Sequence, residues 1–272
     1  VGLFNHPDML GHKREQTEAS RELTETRIKR VVNNDSLISN FRIWNDYHGH
    51  HYEGYLSVRE RDLKNTRSYI AQYTAAQTQD ETGYHNFCVD MVIHDSDALK
   101  YVYSFFDSLK MTSHLNSDLF AEAIITCVQD IPYVLITNGP CNADYYPPGF
   151  VKSYLQGGGN CEGSVPFGLF SPVEFIANLQ GDCDTRTILV YTILKHYKYD
   201  VIVLSSGFYS HSILGVAFNN AQAYSATRYP AKPVEGISVA KYFLCELTSY
   251  GPRPGEISEA INDLSKWKVE LK

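Results

Sequence analysis

No stretch of this sequence approaches the roughly 20 consecutive apolar residues that a bilayer-crossing helix needs. No two of its cysteines are spaced as CxxC, so a zinc site of the usual spacing is not expected. Positive charge is also short: 24 Lys and Arg stand against 31 Asp and Glu, a formal net charge of -7 with a pI near 5.8. Nucleic acid is therefore not an expected partner. The one basic cluster, Arg27-Ile28-Lys29-Arg30, lies in a segment equally rich in Glu and reads as a solvated helix face. Gly157-Gly158-Gly159-Asn160 lacks the following Lys or Ser/Thr and the preceding strand of a phosphate loop. It reads as a flexible rim, or a lid over a cleft. There is no internal repeat. No secretory-type leader is visible, and since the sequence opens on Val this leaves targeting open.

What is present is the composition of a globular protein with a sizeable core: 272 residues, 43% hydrophobic and 20% charged. The 20 tyrosines fit ordinary half-buried positions, or a groove for peptide or sugar. Cys141 and Cys161 flank a Pro/Gly-rich loop. Two readings stay open for them: a disulfide, which would suit an exported, extracytoplasmic protein, or a pair of reduced loop thiols. His48-Gly49-His50-His51 looks like a metal-binding tract, but no nearby Cys or carboxylate completes a ligand set, so neither metal nor cofactor is expected.

Patterning suggests three regions. Residues 1–40 read as a helical lead-in or tether, with a charged surface helix over 15–32. Residues 41–114 read as an α/β extension packed on the core. Within it, the alternation Tyr55-Leu56-Ser57-Val58 and the run Phe87 to Ile93 predict strands, and Leu99, Val102, Tyr103 and Phe106 predict a helix over 95–110. Residues 115–272 read as the catalytic core. Helices are predicted over 117–129, 171–179 and 183–196, a long loop over 139–172, and strands over 201–205, 212–218 and 242–247. Residues 219–239 read as an irregular excursion.

The stretch Gln180-Gly181-Asp182-Cys183-Asp184 carries the chemistry. Gly181 breaks one helix and Asp182 caps the next, which puts Cys183 in a first helical turn. Unpaired N–H groups and the helix dipole favour a thiolate there. The plain alternative is a small buried cysteine. His211 opens a later strand, and a strand-borne His beside a helix-borne Cys is what a thiol nucleophile and its base require. Glu246 lies in an apolar strand where a carboxylate needs a partner, and is the candidate third member. Asn219 and Asn220 are the alternatives for that role. Gln180 and Tyr209 are the side-chain candidates for an oxyanion donor, with the Cys183 backbone N–H beside them.

At these residues the sequence resembles the transglutaminase-like superfamily. Gly181-Asp182-Cys183-Asp184 after Pro172-Val173-Glu174-Phe175 is especially similar to bacterial transglutaminase-like cysteine peptidases. Val128-Gln129-Asp130-Ile131-Pro132-Tyr133 is similar to the helix exit that precedes the core in those proteins. The similarity spans roughly residues 115–255. It implies an α+β, papain-like fold with a central nucleophile-bearing helix packed on an antiparallel sheet. It implies Cys183 as nucleophile, His211 as general base and acid, Glu246 as orienter, and a peptide or protein substrate. The family's usual third residue is Asp, and the segment after the His strand is long here. The expected activity is a cysteine peptidase or amidase. A protein-glutamine transglutaminase and an inactive binding module at the cell surface are the alternatives.

Overall fold

The computed structural model describes residues 27–32, 35–76, 80–219 and 242–272. It is a mixed α+β protein with small, mainly antiparallel sheets. The helical lead-in falls outside the described residues up to residue 26, and beyond that point it is corrected. Arg27–Val32 is a strand, β1, laddered antiparallel to β2 (Asp35–Asn45), which pairs in turn with β3 (His51–Arg59). Ile28, Val31 and Val32 are β-branched and fit an extended backbone better than a helix. The inner face of β2 and β3 buries Ile38, Trp44, Tyr52, Leu56 and Val58.

A second correction concerns the run Phe87 to Ile93. It lies in a helix, α2 (Glu81–Ser96), which follows α1 (Glu60–Ala76). A short apolar run fits a strand or a buried helix equally well. Here Phe87, Cys88, Met91 and Asp95 share one buried helical face, while Ile93 is 71% exposed. Asp80 starts the helix by accepting the Gly83 N–H at 2.8 Å. The helix expected over 95–110 is α3 (Lys100–Thr112), entered through a 3-10 turn at Asp97–Leu99. Asp95 precedes that turn. It lies in the last turn of α2, where its carboxylate accepts from Thr66 Oγ1 (2.7 Å), His94 Nδ1 (2.8 Å) and the Val173 N–H (2.9 Å).

Helix α4 (Ser117–Gln129) has the predicted bounds and is capped by Asn116, whose side chain accepts the Leu119 N–H at 3.0 Å. The long loop carries more structure than expected: helix α5 (Phe150–Gln156), and strand β5 (Cys161–Glu162) paired parallel with β4 (Leu135–Ile136). A Cys141–Cys161 disulfide closes it. The other four cysteines, Cys88, Cys127, Cys183 and Cys245, are free and buried.

Helices α6 (Pro172–Asn178) and α7 (Cys183–His196) follow, then β6 (Val201–Ser206), β7 (His211–Val216), β8 (Phe243–Cys245) and β9 (Lys268–Leu271). These strands form an antiparallel sheet in the order β8-β7-β6-β9. Helix α7 lies on β6 and β7 and is buried along most of its length. One apolar cluster runs from Ile38 to Leu271, so the first sheet and the second share a core across residue 114. The excursion expected over 219–239 lies outside the described residues from 220 onward.

Candidate active site

The turn that presents Cys183 is fixed from several sides. Ser171 and Glu174 form a reciprocal capping box that starts α6. Asp95 adds a third acceptor at that helix start, through the Val173 N–H. Leu179 ends α6 in the left-handed region at φ 50°. Gly181 comes next, and a Cβ there would stand 2.8 Å from the Phe175 ring and from Thr185 Cγ2. Only glycine lets α6 and α7 approach so closely. Asp182 caps α7: Oδ1 accepts the Thr185 N–H at 3.2 Å, and Oδ2 accepts the Ile136 N–H of β4 at 3.3 Å.

Cys183 is the first residue of α7 and is 8% exposed. Its thiol donates to Asp184 Oδ1 at 3.6 Å, and the backbone of Ser212, one residue past His211 on β7, lies close enough to act on its pKa. Burial pushes the thiol well above its ordinary range, and Asp184 and Asp182 push it further, while the Ser212 N–H acts the other way. The helix-start position alone argues for a thiolate. Here burial and two adjacent carboxylates outweigh it, so the resting sulfur holds its proton.

His211 follows Ser210, whose φ of 49° turns the chain into β7. Its Nε2 is 2.8 Å from Glu246 Oε2. The other oxygen, Oε1, accepts the Thr248 N–H at 2.9 Å and the Thr248 hydroxyl at 2.7 Å. Burial works against both charges. The ion pair with His211 and the Thr248 bonds override it for Glu246, holding the carboxyl down at about 2. Burial lowers His211, but Glu246 outweighs it and the imidazole ends above its ordinary value. The edge of Trp267 packs on the imidazole at 6.0 Å between ring centroids.

The remaining sequence candidates are placed as follows. Gln180 is exposed, three residues before Cys183. Tyr209 packs on Trp267 at 5.7 Å, beside the imidazole's own contact. Asn219 is exposed and gives its backbone N–H to Asp118, on α4, at 2.9 Å. It is thus not the partner of His211, whose Nε2 is held by Glu246. Asn220 lies outside the described residues. In the His tract, His48 bonds Glu122, His50 bonds Asp46 and His51 bonds Asn45. Among the described residues no group of three or more His, Cys, Asp or Glu is arranged to hold a metal ion.

Three features went unread in the sequence. Arg186, fully buried three residues after Cys183, donates to four main-chain carbonyls: Gly181 (2.9 Å), Val128 (3.0 Å), Leu247 (3.0 Å) and Ile131 (2.6 Å). The signal was available, because a lone cation in an apolar helix must find partners. Gln129 supports the acid from behind, giving Nε2 to the Glu246 carbonyl at 2.6 Å and accepting from Tyr47 at 2.9 Å. Tyr84 and Tyr133 place phenols within electrostatic range of Cys183. Burial raises both, followed by the field of Asp184 for Tyr84 and of Cys183 for Tyr133. No protein-family model, curated protein or solved structure matches the chain.

Proposed function

We propose that the chain is a thiol-dependent amide hydrolase, a cysteine peptidase or amidase, built on a papain-like core of the transglutaminase-like kind. The observation that carries this reading is the 2.8 Å His211–Glu246 pair, on strands packed beside the helix that Cys183 opens. Helix α7 would be the central helix of such a core, and β7 and β8 the strands that bear base and acid.

With Nε2 held by Glu246, Nδ1 is the nitrogen that exchanges the catalytic proton. The Cys183 thiol gives its proton to Nδ1 as sulfur attacks the amide carbon. Glu246, ionised at neutral pH, stabilises the imidazolium and fixes the ring. The backbone N–H of Cys183, at the start of α7, suits the developing oxyanion. The imidazolium then returns the proton to the leaving amine, which departs and leaves a thioester. Water, giving a proton to Nδ1, attacks the thioester and releases the carboxylic acid, and Cys183 regains its proton. A lysine amine in place of water would make the same site a protein-glutamine transglutaminase. The Cys141–Cys161 disulfide supports an oxidising, extracytoplasmic setting.

The test is a peptide mixture of known sequences, incubated with and without a primary amine and read by mass spectrometry. Hydrolysis products are expected from the parent and not from Cys183→Ala or His211→Ala. Amine-bearing products in place of acids would make it a transglutaminase. The buried, proton-holding thiol favours a second reading, an inactive binding module. No product from the parent, with a thiol that resists alkylation until above pH 9 whether or not His211 is present, would establish that reading instead.

A further inference from the structure

A tetrahedral oxyanion is held by preorganised donors, and the Cys183 N–H is a single one. The side chains marked for this role in the sequence do not add a second. Gln180 is exposed, and Tyr209 packs on Trp267 in the apolar cluster on the sheet face away from α7. Arg186 has given its guanidinium to four carbonyls.

Tyr133 is built into the turn itself. It forms a parallel bridge with Gly181, and the next N–H, that of Val134, donates to the Gly181 carbonyl at 3.3 Å. Bridged backbones lie about 4.8 Å apart, so Tyr133 stands one strand spacing from the turn that presents Cys183. Its ring is held on two sides. The Arg186 guanidinium carbon is 5.7 Å from the ring centroid, and Tyr154 meets the ring edge to face at 5.7 Å. That guanidinium also bonds the Gly181 carbonyl, so ring and turn share one anchor. Burial raises the phenol, Cys183 and then Asp182 raise it further, and Arg186 opposes them, so the hydroxyl keeps its proton in the field of the sulfur. For Tyr84, the other phenol in range, Asp184 comes ahead of Cys183. Tyr133 is half-buried, which leaves part of it open to a bound substrate.

The approach is also suitable. His211 comes from β7 and Glu246 from the end of β8, whereas Tyr133 comes from the segment leading into β4, in a different sheet. The imidazole must face the leaving nitrogen, which leaves the carbonyl oxygen to a donor on another side. We infer that Tyr133 is a catalytic residue whose hydroxyl, jointly with the Cys183 N–H, donates to the oxyanion of the tetrahedral intermediate. The inference rests on the hydrolase reading above. The phenol gives a hydrogen bond and transfers no proton.

The experiment compares the parent with Tyr133→Phe, which deletes the hydroxyl and keeps the ring between Arg186 and Tyr154. On a peptide the parent cuts, kcat is expected to fall by roughly 10²- to 10³-fold, the effect of removing one oxyanion donor, with KM little changed. Alkylation of Cys183 by iodoacetamide, a displacement that forms no oxyanion, should keep the parent's rate. An unchanged kcat, or a fall in kcat matched by an equal fall in alkylation, would overturn the inference and leave the hydrolase standing. A second measurement needs no variant. In a crystal of the parent with a peptide aldehyde bound to Cys183, the adduct oxygen should lie about 2.7–3.1 Å from the Tyr133 hydroxyl. An adduct oxygen held by other donors would overturn the inference as well. No cleavage of any peptide by the parent would overturn both this inference and the hydrolase.

Discussion

Replacing Glu246 by Gln removes one charge, nearly keeps the shape, and lowers the pKa of the histidine it pairs with. In the parent, burial lowers the His211 pKa, and the Glu246 carboxylate more than offsets this from 2.8 Å, leaving the imidazole above its ordinary 6.5. Without the charge, burial loses its main opponent and only the fields of Asp184 and Asp182 still act against it, so the His211 pKa is expected to fall. The carboxyl supplies the magnitude. It is held at about 2 against an ordinary 4.5, which corresponds to about 3 kcal/mol of preference for the charged, paired form. Because the folded pKa is depressed, this stabilisation is complete above pH 4.5 and disappears as pH falls through 2. The parent should therefore lose about 3 kcal/mol of urea-unfolding stability through this group as pH falls from 6 to below 2, a loss that Glu246→Gln should not show. The His211 term has the opposite sign. Its folded pKa is raised, so its contribution is complete below 6.5 and is lost as pH rises through the raised value. The assay is the pH dependence of the His211 ring-proton shifts by NMR, alongside urea titrations. A His211 pKa that is no lower in Glu246→Gln than in the parent would refute the electrostatic account of the pair.

Other expectations follow from the same geometry. Cys183→Ala should abolish turnover and cost only about 1 kcal/mol in urea unfolding, since it removes a single sulfur atom from a small buried side chain. Glu246→Ala should lower kcat/KM by ~10²- to 10⁴-fold, by analogy with third members of other triads, as read on a peptide the parent cuts. With a thiol that holds its proton, activity needs a neutral imidazole, so kcat/KM should rise with pH through a value above 6.5; an acidic limb well below 6.5 would mean a preformed thiolate–imidazolium pair. Replacing Cys141 and Cys161 by Ser opens a loop with a sequence separation of 20 residues and should cost about 3 kcal/mol by chain entropy, measured by urea unfolding under non-reducing conditions.

The elements that position Cys183 were legible because their signals are local. Ser171 with Glu174 three residues later, Pro172 at a first helical position, and Asp182 before an apolar run are start signals that act within one turn. Asn116 ahead of α4 is another. The first half was misread where the signal is not local. The run Phe87 to Ile93 is apolar enough for a strand, and its helical face becomes visible only when Asp95, four residues after Met91, is known to be buried against Thr66 and the start of α6. The choice among Glu246, Asn219 and Asn220 was likewise beyond sequence spacing. The β7–β8 pairing, with Leu214 opposite Cys245, brings Glu246 to the imidazole. The thiol was misjudged for a related reason. The helix dipole can be read from a cap, whereas burial under two neighbouring carboxylates is a property of the packed site.

Arg186 has a consequence for how the protein comes apart. Its guanidinium joins the Gly181 turn, the exit of α4 and the residue after Glu246 through carbonyls alone, none of which can titrate or change rotamer. The Cys183 turn and the Glu246 strand are thus parts of one cooperative unit, and opening either strands a buried cation. Amides of Gly181, Ile131 and Leu247 should then exchange with solvent at a common rate set by one opening event, instead of fraying separately. A site wired in this way is lost all at once, so partly unfolded molecules would carry no half-assembled, reactive cysteine.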